Sequence, residues 1–191
     1  MANSRNTPCA TCPGGQCLVG PYEEIKEECN KRGGQAHHVP PDWTMRQGTR
    51  KEALKAKKSS DRIFGLKKDG TGKKRMPSLQ KGPSICLQGN KNDENSAHST
   101  AHECDEIIEN TKFDGIPENT IPLAEVLFSA VDAVTNAAPE CEQEIQDAVD
   151  EAYEDFDQNT LVRNKQYPKR KGDRFSVDAM KAWKSGSTGS N

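Results

Sequence analysis

Apolar positions are sparse in the first half of the chain and gather into helical periods in the second. Leu123, Val126, Leu127, Ala130, Val131 and Val134 recur three or four apart, and Ile145, Ala148, Val149 and Ala152 repeat the pattern. This spacing predicts two amphipathic helices over residues 123–156, broken at Pro139. Upstream, YEEIKEECNK from Tyr22 to Lys31 predicts a short helix stopped by Gly33 and Gly34. The following GQAHHVPP is extended, because a residue before proline is pushed out of the helical region. Residues 46–60, RQGTRKEALKAKKSS, predict a basic helix, and DGTGKK from Asp69 a turn or mobile loop. PSICLQ at residues 83–88 has the β-branched, apolar character of a strand. GNKNDEN is a loop, after which Ser96 caps a helix through AHSTAHECDEII with Ile107 and Ile108 on its buried side. Beyond Gln158 the pattern is polar.

Composition sharpens this picture. Hydrophobic residues make up 32 % of the 191 positions, aromatics 5 % and charged residues 29 %, which predicts a modest globular centre with polar extensions. The net charge of −2 conceals a segregation: residues 31–81 hold fifteen Lys or Arg against four acids, and residues 113–162 hold no Lys or Arg at all. Residues 163–191 turn basic again, with eight Lys or Arg against Asp173 and Asp178. A phosphate-rich partner suits the first basic block. Four segments follow: a Cys-rich leader and short helix (1–30), a core with a basic insertion (31–115), an acidic helical extension (116–160) and a basic, flexible tail (161–191). MANSRNTPCA lacks the apolar run of a signal peptide, and no stretch approaches a membrane span. The expectation is a soluble chain made in the cytoplasm, with no membrane partner.

All four histidines fall into two pairs, His37-His38 and His98/His102. Imidazole is the commonest metal ligand and the usual general base near neutral pH. Histidines at i and i+4 share a helix face and can grip one cation, whereas neighbours on a strand point to opposite sides. One member of the adjacent pair can therefore face a metal and the other a substrate. HxxxH here encloses Ser99, Thr100 and Ala101, without the internal glutamate a metalloprotease requires.

The order strand–HH (GGQAHHVPP), strand (PSICLQGN), HxxxH helix (AHSTAHECDEII) resembles the His-Me finger nucleases of the HNH/endonuclease VII superfamily, in particular GHH- and AHH-type toxin nucleases of bacterial competition systems. The resemblance covers roughly residues 31–110. It implies an α+β fold with a small ββα-metal core, to which the apolar and polar patterns add further helices and polar, partly disordered termini. It implies a DNA endonuclease with one divalent ion: zinc or magnesium, with manganese and nickel as further options. His37, His98 and His102 are then the ligands, His38 the general base, and Asn90 the loop asparagine that braces it. The family pattern has an arginine and an acid upstream of the pair, where this chain has Lys31, Arg32 and Gln35. The clamp on the scissile phosphate is then Arg32, or Arg46 or Arg50 from the insertion. Arg46, Arg50, Lys51, Lys55, Lys57 and Lys58 form the expected nucleic-acid track. The resemblance further implies delivery into target cells by a secretion system such as type VI, an upstream delivery module or chaperone, and an acidic immunity protein over the basic cleft. A rival reading is a non-catalytic, zinc-stabilised nucleic-acid-binding or adaptor module, in which one cysteine completes a His37, His98 and His102 site.

Seven cysteines remain. Cys9, Cys12, Cys17 and Cys29 form CxxCx4Cx11C, a pattern open to a zinc knuckle, a disulfide or free thiols. Cys86 and Cys104 are expected as core residues beside the histidines.

Overall fold

A three-stranded antiparallel sheet separates two apolar clusters in the computed structural model, which describes residues 7–55, 61–90, 92–117 and 119–165. In chain order the elements are β1 (Val19–Pro21), α1 (Tyr22–Lys31), β2 (Gly34–His38), α2 (Arg50–Lys55), β3 (Phe64–Leu66), β4 (Lys73–Arg75), β5 (Pro83–Gln88), α3 (Ala97–Ala101), α4 (Glu103–Asn110), β6 (Thr120–Pro122), α5 (Leu123–Ala137), α6 (Glu142–Tyr153) and β7 (Leu161–Arg163). This mixture of helices and small antiparallel sheets is α+β. No helix among the described residues is long and apolar enough to cross a membrane.

β5 is the central strand, with β1 on one edge and β2 on the other, in the register His37 opposite Ile85 and His38 opposite Ser84. Alternation sends successive side chains to opposite faces. Val19, Ile85 and Leu87 enter the larger cluster, while Cys86 and Ala36 meet Ile25 and Cys29 of α1. The larger cluster runs from Cys9 to Val162, so the leader, the sheet and the acidic helices share one core. The buried face of α5 comprises Leu123, Val126, Ala130, Ala133, Val134 and Ala137. Those small residues let α3 and α4 pack against α5, which makes the acidic segment a wall of the core rather than an appendage.

Several sequence expectations need correction. The basic helix spans only Arg50–Lys55, within the described part of residues 46–60. Thr49 and Glu52 explain its start: the Glu52 carboxylate accepts from the Thr49 backbone N–H at 2.8 Å, and Thr49 Oγ1 accepts from the Glu52 N–H at 3.3 Å. This capping box fixes the N-terminus, and Arg46 lies outside it in an isolated bridge to Arg62. The helix after Ser96 is not continuous. His102 ends α3 and begins α4, with 3-10-type bonds from its N–H to Ser99 O and from the Asp105 N–H to its own carbonyl. The tighter turn shifts the helical phase, leaving Ile108 fully buried and Ile107 51 % exposed. Leu161–Arg163, expected in a polar tail, is a buried strand paired with β6, and Arg163 donates to the Arg46 carbonyl at 3.0 Å. The remaining tail, residues 166–191, lies outside the described residues.

The cysteines pair as Cys9–Cys12, Cys17–Cys141 and Cys29–Cys86. Cys29 sits on the far face of the sheet from Cys9, Cys12 and Cys17, so the four do not form one knuckle. Cys86 is a core residue but bonded. Cys104 is a buried free thiol that donates to the Ala101 carbonyl at 3.2 Å, and burial pushes its pKa up.

Candidate metal centre

His37, the fourth residue of β2, points to the same sheet face as Ile85. There it meets His98 from α3 and His102 from the α3–α4 junction. The ring centroids are 5.3 Å apart for His37 and His98, 4.6 Å for His37 and His102, and 4.9 Å for His98 and His102, all edge-on. One ring nitrogen from each can be chosen so that the three lie within 4.8 Å of one another. His37 is pushed well below its ordinary pKa, by burial first and then by the neighbouring His102, His98 and His38. It is therefore a neutral imidazole, the form that binds metal.

A relay orients the third ring. His102 Nδ1 lies 3.0 Å from Asp105 Oδ2, and Asp105 Oδ1 accepts from Trp43 Nε1 at 3.1 Å. The carboxylate at i+3 comes beneath the ring because the helix tightens at His102. Carboxylate–histidine pairing of this kind fixes the tautomer, leaving Nε2 for a cation. The donors fit a divalent ion of the borderline transition series better than magnesium, which prefers oxygen. Among the described residues the set consists of three imidazoles, and an ion held by three protein ligands would keep a coordination position for water or substrate.

His38 takes the other face of β2. Its ring stacks on Tyr22 at a centroid distance of 4.3 Å, and its Nε2 lies 2.9 Å from the Leu79 carbonyl. A carbonyl only accepts, so Nε2 carries the proton and Nδ1 holds the lone pair. Burial pushes the pKa of His38 down to about 4, against the opposing pull of Asp42 and the Leu79 carbonyl. Asp42, just past the cis Val39–Pro40 bond, is clamped by Arg46 and by Arg62 at 2.6 Å. Burial would raise that carboxyl, but Arg62, His38 and Arg46 together hold it below its usual value.

These groups share one open cavity of about 540 Å³, whose lining includes His37, His38, His98, His102, Asp42, Trp43, Arg46, Arg50 and Lys26. Two expected residues are elsewhere. Arg32 caps the end of α1 and pairs with Glu28 at 3.0 Å, outside the cavity lining. Asn90 follows the end of β5 that pairs with Gly34, about 13 Å of strand from His38's partner Ser84. It cannot brace His38 from there, and the Leu79 carbonyl occupies that place. Asn90 instead accepts from Ser96 Oγ at 2.9 Å through its carbonyl, steadying the residue that caps α3 under His98. Gly89, at φ 80°, makes the close approach possible: a Cβ there would stand 2.2 Å from that of Ser96. Of the basic track, Arg46 and Arg50 reach the cavity, Lys51 and Lys55 are exposed on α2, and Lys57 and Lys58 lie outside the described residues.

Sequence reasoning missed Tyr22, Asp42, Trp43 and Asp105. Asp105 carried a signal, standing three residues after His102 in a helical run. Asp42 and Trp43 carried only their nearness to the HHVPP motif. No protein-family model, curated protein or solved structure matches the chain.

Proposed function

We propose that the chain is a metal-dependent endonuclease that hydrolyses phosphodiester bonds in DNA, with β2, β5 and the α3–α4 pair as a ββα-metal finger. One observation carries the reading: adjacent His37 and His38 divide across a strand, one joining two further imidazoles and the other standing neutral on the same cavity. His37, His98 and His102 would hold a divalent cation, which when bound would supply charge relief to the phosphate. His38 takes the proton of the attacking water on Nδ1, since Nε2 is committed to Leu79. Asp42 stabilises the imidazolium that results. Arg50 and Lys26 line the cavity as cations for phosphate oxygens, and Arg46 is held toward it by Asp42. Arg50 replaces Arg32 as the phosphate clamp in this reading.

The preference for DNA, the role as an antibacterial toxin domain, delivery by a secretion system and neutralisation by an acidic immunity protein rest on the resemblance of the histidine motifs. The experiment is nicking of supercoiled plasmid by the purified chain with zinc, nickel, manganese or magnesium, with EDTA and His38→Ala as controls. Cleavage that needs metal and His38 is expected. No cleavage with any of the four ions, or full activity in His38→Ala, would refute the assignment. Parallel incubation with single-stranded RNA separates DNase from RNase.

A further inference from the structure

The second cluster of metal-ligating side chains lies in the main core, away from the histidine cavity. Cys9, Cys12 and Cys17 from the leader and Cys141 from the α5–α6 corner are each no more than 4 % exposed. One sulfur from each residue lies within 4.8 Å of every other, and Cys12 Sγ is 3.4 Å from Cys141 Sγ although the two are not bonded. A zinc ion with four thiolates at about 2.3 Å sets its sulfurs roughly 3.8 Å apart, a spacing the four sulfurs can reach once the two disulfides are opened, since all lie within 4.8 Å of one another. Cys9 and Cys12 flank two residues in a tight turn, the C-x2-C spacing of zinc knuckles, closed by the Cys12 N–H to the Cys9 carbonyl at 3.4 Å. Cys141 immediately precedes α6, where the helix N-terminus favours a thiolate.

We propose that these four sulfurs are a structural zinc site in the reduced chain, and that the two disulfides are the oxidised state of the same clamp. Two molecules of a low-molecular-weight thiol reduce each disulfide, giving two cysteine thiols and one disulfide of the small thiol. The four thiols then bind one zinc ion and release four protons. Both states tie the leader to the α5–α6 corner, which lets the fold persist in reducing and oxidising compartments. Cys29 and Cys86 cannot do this, because they stand as two sulfurs among Leu18, Ile25 and Ala36 on the other sheet face. Four soft donors in a closed, buried set select zinc over the harder ions.

The test uses the full chain carrying His37→Ala, His98→Ala and His102→Ala, purified with a thiol reductant after expression with added zinc. Elemental analysis should find about one zinc per chain. Adding Cys12→Ser or Cys141→Ser should bring zinc to background, while Cys29→Ser should leave it unchanged. Cobalt(II) added to the reduced, metal-stripped triple variant should give a strong thiolate-to-cobalt charge-transfer band, a readout that stands even if the serine variants misfold. A triple variant without zinc and without that band overturns the proposal, as does zinc retention indifferent to Cys12 and Cys141. The histidines of the nuclease reading are absent from this chain, so either proposal can fail without the other.

Discussion

The histidine centre and the cysteine cluster are both built from ligand-type side chains drawn from distant segments, yet they differ in what surrounds them. The three imidazoles form part of the lining of a 540 Å³ cavity with cationic side chains beside it. The four sulfurs are sealed among apolar residues of the main core. Three donors on an open cavity leave room for substrate, whereas four donors in a sealed core leave none. In the two proposals the first arrangement does chemistry and the second only holds the fold. Neighbouring residues repeat the contrast: Asp105 and Trp43 orient His102, while Cys17–Cys141 closes a loop of 124 residues.

Mutations should separate the two regions, and the largest effect is expected at His38. His38→Ala should lower the nicking rate by about 10²–10⁴ with metal affinity retained, because the base is not a ligand. His98→Ala and His102→Ala should lose both, read by nicking and by calorimetric metal titration. Equal metal loss in all three would show that His38 is a ligand and erase the division within the pair. At the sealed cluster the pattern should invert. Cys17→Ser in the oxidised chain should cost about 3–5 kcal/mol in urea unfolding, given the long loop it opens, with nicking by the folded fraction unchanged.

A pH effect of similar size should come from His38 in metal-free protein. Its folded pKa, about 4, lies below the unfolded value of 6.5. The unfolded chain therefore binds the extra proton first. The contribution is complete above pH 6.5 and is lost as pH falls from 6.5 toward 4. With a shift of this size, unfolding free energy in EDTA should drop by about 3 kcal/mol over that window, checked by urea titrations at its two ends. His37 is lowered in the same direction and adds to the slope. A flat profile would mean that His38 is hydrated in solution.

Smaller effects belong to the supports. Asp105→Asn should weaken metal binding by about 10–100-fold without touching the cysteine cluster, because it loosens the tautomer of His102. Reversing charge at Arg50, Lys51 and Lys55 should flatten the salt dependence of DNA binding by about 0.9 in log–log slope for each phosphate no longer neutralised. An unchanged slope would take α2 out of the substrate path.

Local elements are legible in the sequence wherever a local rule sets them. The helix Tyr22–Lys31, the strand Pro83–Gln88, the Ser96 cap and the break at Pro139 follow from propensity, capping and proline geometry within a few residues. The basic helix begins later than its charge pattern suggests because the T-R-K-E box at residues 49–52 sets its start, and that signal too is local. The phase slip at His102 has no comparable signal, since it turns on how α3 and α4 seat on the small residues of α5.

By itself the sequence determined that His37 and His38 must part, because alternation along a strand leaves neighbouring side chains no other choice. It also held the two motif-spaced histidine pairs from which a metal centre is expected. Only the tertiary structure decided which distant partners each group finds. The register of β2 on β5 put Leu79, not Asn90, against His38. The two faces of one thin sheet sent Cys29 to Cys86 and brought Cys141 to the leader. Pairings of that kind depend on long-range closure, in which many apolar contacts are settled together, and no window of neighbouring residues contains that information.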